Sequence, residues 1–138
     1  MRQHLDQFSV KTARGLTDIT ARVRRVVAAS GIKRGLCTVT IRHTSASLVI
    51  QENADPAVLK DLESFLGRLV PDGDPLFTHR TEGPDDMSAH VKAALTRSSE
   101  QVPVIDADLA LGTWQALYVW EHRGGKRRRE LVVHVLGE

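Results

Sequence analysis

Three histidines could act together on a metal ion, although each is expected on a different element. His43 follows a predicted strand, His79 lies in a loop rich in glycine and proline, and His90 lies on a predicted short helix. Three imidazole nitrogens and one water form the open coordination sphere of a catalytic zinc ion. The spacing does not require the rings to converge, because the chain has no His-Glu-x-x-His helix and no cysteine pair. From the residues alone, surface histidines are the more common outcome.

An acidic residue accompanies the last of these histidines. Asp86 precedes His90 by four residues, so a helix would place both side chains on one face. There the carboxylate could orient the imidazole or hold a second cation. The alternative role of Asp86 is stabilisation of the helix dipole, which Asp85 would serve equally well.

Small hydroxyl side chains mark the bend that follows His43. Thr44 and Ser45 offer hydroxyl and backbone N–H groups that suit phosphate or carboxylate oxygens. An ordinary turn held by the same hydroxyls is the alternative. Ser45 is also a candidate nucleophile beside His43, although no third member of a triad is evident. Glu52 adds an acidic group at the end of the next predicted strand.

The central strand is predicted within residues 109–121, where most of the aromatic surface lies. Alternation puts Trp114 and Trp120 on one face, and Gly112 permits a turn or a close approach before the strand. Packing in the core is the usual role of such an aromatic stripe. Thr113 and Gln115 are polar groups on this core strand and are candidates to line a site.

A basic run follows two glycines near the end of the chain. Gly124 and Gly125 are predicted to close a hairpin. The run that follows could bind a phosphorylated substrate or nucleic acid, but it lacks the interleaved aromatics of a single-strand platform. A solvated hairpin tip is favoured, with only the last arginine expected to point inward. The run comprises Lys126, Arg127, Arg128 and Arg129.

The 138 residues are expected to form one α+β domain, residues 1–138, with a largely antiparallel sheet. The predicted order is a strand, a helix, two strands, two helices and three strands. Gly31 is a typical C-terminal signal for the first helix, and Asp55 with Pro56 is typical of the start of the second. The third helix is predicted from about Asp85 to about Arg97.

Two helices have a predicted buried face, read from the spacing of their apolar residues. For the second helix this face comprises Val58, Leu59, Leu62, Phe65, Leu66 and Leu69. For the third helix it comprises Met87, Val91, Ala94 and Leu95.

The composition excludes several broad classes of protein. A hydrophobic content of 41% and a charged content of 26% are ordinary for a globular domain. No apolar run is long enough to span a membrane, and the first residues lack the apolar core of an export signal. A net charge of +2 is too small to indicate a nucleic-acid partner. The single cysteine, Cys37, is predicted to be a small buried hydrophobe, and the expected location is the cytoplasm.

Five motifs, taken together and in order, resemble the YjbQ-like family of small proteins, which are described as secondary thiamine-phosphate synthases. The resemblance covers nearly the whole chain. The motifs are His43-Thr44-Ser45-Ala46-Ser47-Leu48, Glu52-Asn53-Ala54-Asp55-Pro56 with Asp61, His79, Glu82-Gly83-Pro84-Asp85-Asp86-Met87 with Ala89-His90, and Leu111-Gly112-Thr113-Trp114-Gln115.

The resemblance implies a compact sandwich or barrel with about three helices, assembled as a homotrimer. It also implies a divalent metal, zinc by preference, with magnesium an option for a diphosphate substrate. Carried onto this chain, it makes His43, His79 and His90 the metal ligands. The catalytic residues would be Asp86, Glu52 and Ser45, and the substrate contacts would be Thr44, Thr113, Gln115 and Arg129.

The chain departs from the family pattern at two positions, neither of them a candidate ligand. Ser88 stands where the family often has proline, and the effect should be small because proline is merely tolerated in a first helical turn. Ala107 stands where the family often has glycine, and this could alter the turn before the central strand.

The activity implied by the resemblance joins a pyrimidine diphosphate to a thiazole phosphate, and we expect it as a side activity. One alternative is a metal-dependent hydrolase or transferase that acts on another phosphorylated metabolite. A second is a non-catalytic trimeric protein that binds a metal or ligand. Binding of RNA through the basic run is the least favoured function.

Overall fold

Two antiparallel sheets curl around a common core in this computed structural model, which describes all 138 residues. Eight strands build them: β1 (Arg2–Thr12), β2 (Gly15–Asp18), β3 (Arg34–Ile41), β4 (Ala46–Glu52), β5 (Ser99–Ile105), β6 (Asp108–Leu109), β7 (Gln115–Glu121) and β8 (Arg127–Gly137). The larger sheet has the order β1-β8-β3-β5-β6, and the smaller has the order β2-β7-β4. All neighbours pair antiparallel, which confirms the predicted α+β class, although the short strands β2 and β6 were not predicted.

Three helices complete the fold: α1 (Thr20–Ser30), α2 (Pro56–Leu69) and α3 (Asp86–Leu95). The predicted start of α2 is confirmed, since Asp55 Oδ1 accepts a hydrogen bond of 2.9 Å from the N–H of Ala57. The predicted end of α1 is also confirmed, because Gly31 takes a left-handed conformation with φ 69°. None of these helices is long and apolar enough to cross a membrane.

The apolar core fills the space between the two sheets and α1. Val23 and Val27 of α1 are fully buried against Val119 of β7 and Val133 of β8. Cys37 is buried in the same cluster as a free thiol, as predicted, and burial raises its pKa to about 11. Sheet alternation and the helical period of α1 therefore point to one shared interior.

The second face of the smaller sheet is covered mainly through polar contacts. Trp120 Nε1 donates to Glu63 of α2 at 2.6 Å. His122, just beyond β7, is fully buried, and its Nε2 lies 2.9 Å from the Ser47 hydroxyl. Its Nδ1 has no hydrogen-bond partner. This layer is unusual because buried polar groups are normally paired.

The predicted buried faces of α2 and α3 are correct only in part. In α2 Leu66 is buried and Val58, Leu59 and Leu62 are half-buried, but Phe65 and Leu69 are each 58% exposed. In α3 the buried residues are Asp86, Ser88, Ala89 and Lys92, whereas Leu95 is 60% exposed. The physical reason is that α3 docks through hydrogen bonds and ion pairs, such as those from the Ser88 hydroxyl to Asp72 and from Arg123 to Asp86. Apolar periodicity cannot detect such a face.

The predicted hairpin at Gly124 and Gly125 is also wrong. Strands β7 and β8 belong to different sheets and do not pair. The two glycines lie in a crossover between the sheets, where Gly125 has φ 77°. A pair of glycines permits a sharp change of direction without determining which strand comes to lie next to which.

The turn between β5 and β6 carries two residues with positive φ. Asp106 has φ 51° and Ala107 has φ 64°, a region that disfavours side chains with a Cβ atom. Asp106-Ala107 is therefore a strained pair in an otherwise regular hairpin connection.

We expect Ala107→Gly to stabilise the protein by about 0.5–1 kcal/mol, because relief of the left-handed strain exceeds the added entropy of the unfolded chain. The free energy of unfolding in urea would measure this. The matched control is Ala28→Gly in the helical segment α1, which should be destabilising by about 1 kcal/mol. A lower free energy of unfolding for Ala107→Gly than for the wild type would contradict the proposal that Ala107 is strained.

We expect the free energy of unfolding to depend on pH through the protonation of His122. Burial, with the Lys92 charge as a smaller contribution, lowers the pKa of His122 from 6.5 to about 3. The unfolded chain therefore takes up this proton first as the pH falls, so stability is lost below about pH 6.5. Between about pH 7 and about pH 4.5, the wild type should lose about 2 kcal/mol more unfolding free energy than His122→Asn. Parallel losses in urea titrations of the two proteins would contradict this assignment.

Candidate functional site

Two of the three predicted histidine ligands meet one carboxylate at the start of α3. His79 Nε2 lies 2.7 Å and His90 Nε2 lies 3.1 Å from the same oxygen, Oδ2 of Asp86. One ligand atom from each residue lies within 4.8 Å of the other two. His79 comes from the irregular loop before α3, whereas Asp86 and His90 share a face of α3 as their spacing predicted. Two imidazoles and a carboxylate are a donor set that divalent metals accept.

The orientation of His90 is determined by a backbone contact. Its Nδ1 lies 2.9 Å from the carbonyl oxygen of Thr44, which can only accept, so Nδ1 carries a proton. A neutral His90 then presents a lone pair at Nε2 towards Asp86 Oδ2, which is also an acceptor. Two acceptors at 3.1 Å repel unless a positive charge lies between them. A second proton on His90 or a bound cation supplies that charge.

Asp86 is held in its charged form from the opposite side. Its side chain is only 3% exposed, and Oδ1 lies 3.2 Å from Arg123 Nη1. Burial by itself would raise the pKa of Asp86, but the hydrogen bond with His79 and the Arg123 charge outweigh burial and hold that pKa below its usual range. Arg123 also pairs with Asp85, the residue before α3. The carboxylate is therefore buried, anionic and fixed in position, as a metal ligand needs to be.

His43, the third predicted ligand, is not brought into this group. Its Nε2 accepts a hydrogen bond of 2.8 Å from the N–H of Glu130, and its Nδ1 lies 3.3 Å from Arg129 Nη1. Both ring nitrogens therefore face donors of the protein. Burial, reinforced by the Arg129 charge, lowers the pKa of His43. A neutral ring held in this way has no lone pair directed at His79, Asp86 and His90.

Arg129 points inward, as predicted for the last residue of the basic run, and it forms a buried ion pair. Its Nε lies 2.7 Å and its Nη2 lies 2.5 Å from the two carboxylate oxygens of Glu121. Glu121 also accepts from the Thr12 hydroxyl at 2.6 Å. Burial would raise the pKa of Glu121, but the hydrogen bonds from Arg129 and Thr12 keep it lowered. Ser45 is 7% exposed and its hydroxyl accepts from Arg129 Nη2 at 3.0 Å, so Ser45 is committed to this network.

The other predicted site residues gather at the far end of the smaller sheet. Glu52 pairs in register with Gln115, and Asn53 Nδ2 donates to the carbonyl oxygen of Thr113 at 3.0 Å. The seven residues of β4 separate this end from the Thr44 corner by roughly 20 Å. Within one chain, therefore, Glu52, Thr113 and Gln115 do not reach the His79–Asp86–His90 group.

Two cavities flank the histidine and aspartate group. The first, of about 280 Å³, is lined by His79, Phe77, Met87 and Arg80 together with loop residues on either side. The second, of about 350 Å³, is lined by His90, His43 and Thr44 together with small residues of α3. A ligand in either cavity would lie beside a histidine of the group.

Sequence reasoning missed Glu121 and Arg123 as parts of the site. Glu121 is the last residue of the mainly apolar strand β7, and Arg123 lies two residues further on, directly before the glycine pair. Charged residues at the end of a core strand are a signal that could have found them, because a buried charge needs a partner.

Known proteins are similar to this chain in both sequence and fold. The family model for UPF0047 protein YjbQ-like matches residues 6–138. A UPF0047 protein of Synechocystis sp. is 50% identical over 138 residues, covering 99% of this chain and 94% of the relative. A UPF0047 protein of Methanocaldococcus jannaschii is 37% identical over 136 residues, covering 97% and 95%.

Solved structures agree with these matches. A crystal structure of a protein of unknown function from Sulfolobus solfataricus superposes with a TM-score of 0.90 at 29% identity, covering 99% of each chain. A hypothetical protein from Aeropyrum pernix superposes with a TM-score of 0.88 at 31% identity, covering 98% of this chain and 99% of the other. From the sequence match and the shared fold together, the chain belongs to the UPF0047, YjbQ-like family.

Proposed function

We propose that this protein is a metal-dependent transferase that makes thiamine phosphate as a side activity. His79, Asp86 and His90 would hold a divalent cation, zinc or magnesium. The observation that carries the proposal is the pair of acceptors, His90 Nε2 and Asp86 Oδ2, 3.1 Å apart with the His90 tautomer set by Thr44. A cation between them removes the repulsion and uses both lone pairs.

The reaction would exchange one bond for another without any oxidant or reductant. The bond between the methylene carbon of the pyrimidine and its diphosphate oxygen breaks, and diphosphate leaves with the electron pair. The thiazole nitrogen forms the new bond to the same carbon, giving thiamine phosphate. A divalent cation at the site would neutralise charge on the diphosphate.

The chain's own residues would contribute position and charge. Arg123 fixes the Asp86 carboxylate, and the Thr44 carbonyl fixes the His90 ring. Phe77 and Met87 give the cavity beside His79 an apolar wall that suits an aromatic ring. These contacts hold the ligand atoms in place, so little reorganisation would be needed.

The proposal includes assembly as a homotrimer in the cytoplasm. On the outer face of the larger sheet, Leu36 lies directly opposite Leu136, and these residues are 37% and 40% exposed. Leu5 on the same sheet is 61% exposed. Contact with other copies would cover these side chains. The free thiol of Cys37 agrees with a reducing compartment.

We expect purified protein to bind one divalent metal per chain, and His79→Ala to lose it. Elemental analysis after zinc loading and desalting would measure this, with light scattering to test for a particle of three times 15.3 kDa. His43→Ala should keep the metal, because His43 lies outside the group. His134→Ala, whose ring contacts only Gln3 on the surface, is the matched control. Metal retained by His79→Ala, or absent from the wild type, would refute this site.

We expect the metal-loaded protein to form thiamine phosphate from the pyrimidine diphosphate and the thiazole phosphate. His90→Ala should lower kcat/KM by at least about 100-fold, because it removes both a ligand and the contact with Thr44. Chromatography of the products would detect thiamine phosphate and free diphosphate. Release of phosphate without thiamine phosphate would favour a hydrolase. No turnover with metal bound would favour a non-catalytic metal-binding protein.

A further inference from the structure

His43 has an arrangement of hydrogen bonds that a neutral imidazole cannot satisfy alone. The Glu130 N–H donates to Nε2 at 2.8 Å, and Arg129 Nη1 lies 3.3 Å from Nδ1. A neutral ring accepts at one nitrogen and donates at the other. The backbone contact has the normal length of a hydrogen bond and the contact with Arg129 is longer. Nε2 is therefore the acceptor, and Nδ1 carries the proton.

Two donors consequently face each other with no acceptor between them. Arg129 Nε and Nη2 are bound by Glu121 and Ser45, but Arg129 Nη1 takes part in no contact except the one with His43. Arginine has no acceptor atom and cannot give up its proton. The Nδ1–H of His43 and the N–H groups of Arg129 Nη1 therefore form a donor pair that matches an oxygen anion.

A cavity lies where such an anion could enter. It has a volume of about 350 Å³, which is in the range of ligand pockets, and His43 lines it together with Thr44, His90 and Ser98. Arg129 does not line this cavity itself and adjoins it through its contact with the His43 ring. The remaining lining residues are alanines, and no carboxylate lines the cavity. The hydroxyls of Thr44 and Ser98 add donors to the pair, which suits a phosphate group with three terminal oxygens better than a carboxylate with two.

We propose that His43 and Arg129 form an oxyanion subsite that binds the phosphate group of a small ligand entering from the cavity beside His90, which His43 lines. Placing this ligand as a substrate rests on the proposed function, since His90 separates the subsite from the cavity on the His79 side. Binding of phosphate itself requires only His43 and Arg129. His43 is therefore an anion-binding donor, and its burial and the adjacent Arg129 guanidinium lower its pKa, which favours the neutral ring.

The test is a calorimetric titration of the full chain with inorganic phosphate in the presence of a chelator. We expect saturable binding by the wild type and a loss of at least about tenfold in affinity for His43→Ala, the cost of one hydrogen bond to a charged acceptor. His134→Ala and His79→Ala should bind phosphate as the wild type does. Equal affinity in His43→Ala would overturn the subsite, and tighter binding of acetate than of phosphate would overturn the phosphate assignment.

A second measurement does not depend on any variant. Nitrogen-15 NMR of the wild-type histidines should show His43 protonated at Nδ1, with that resonance shifting on addition of phosphate. Protonation of His43 at Nε2 would overturn the argument. Because the chelator removes metal, a failure of the metal centre leaves these results unchanged, whereas a failure of the subsite leaves metal binding by His79, Asp86 and His90 unchanged.

Discussion

The buried ion pair between Arg129 and Glu121 is the interaction on which the rest of this structure depends. It joins β8 of the larger sheet to β7 of the smaller sheet at one end of the core. A buried pair stabilises a fold only when its remaining donors and acceptors are satisfied. Here Thr12, at the end of β1, donates a hydrogen bond to Glu121, and Ser45, at the corner before β4, accepts one from Arg129. The pair therefore brings four segments of chain to one point.

Residues of the ion-pair network lie one or two positions in sequence from residues that hold the candidate metal centre. Glu121 is two residues from Arg123, which holds Asp86, and Glu121 accepts from the Arg123 backbone N–H at 3.1 Å. Ser45 is one residue from Thr44, which orients His90. Positive and negative side chains therefore alternate along the series Arg129, Glu121, Arg123 and Asp86. Each charge lowers the free-energy cost of burying the opposite charge next to it. Removal of one member would leave a buried charge unpaired, which is why these groups act as a unit.

Local signals were sufficient for much of the fold and for part of the site. The helix boundaries at Gly31 and Asp55 follow from single residues and their own backbone, and the shared face of Asp86 and His90 follows from helical spacing. The buried face of α3 could not be predicted, because its partners, Arg123 and Asp72, come from distant segments and are polar. The crossover at Gly124 and Gly125 could not be predicted either, because packing of the whole core, and not the local sequence, determines which strands pair. The position of His43 depended on Glu130 and Arg129, neither of which its neighbours in sequence reveal.

The polar docking of α3 has a consequence for motion. A helix that buries Asp86, Ser88 and Lys92 while exposing Leu95 gains little from the hydrophobic effect when it docks. Its attachment depends on charge pairs and hydrogen bonds. Because these pairs are largely buried, salt screens them little, whereas protonation of Asp85 or Asp86 removes them. It follows that the protection of the α3 backbone amides from exchange depends on these carboxylates remaining ionised, whereas that of α1 follows the global stability of the apolar core.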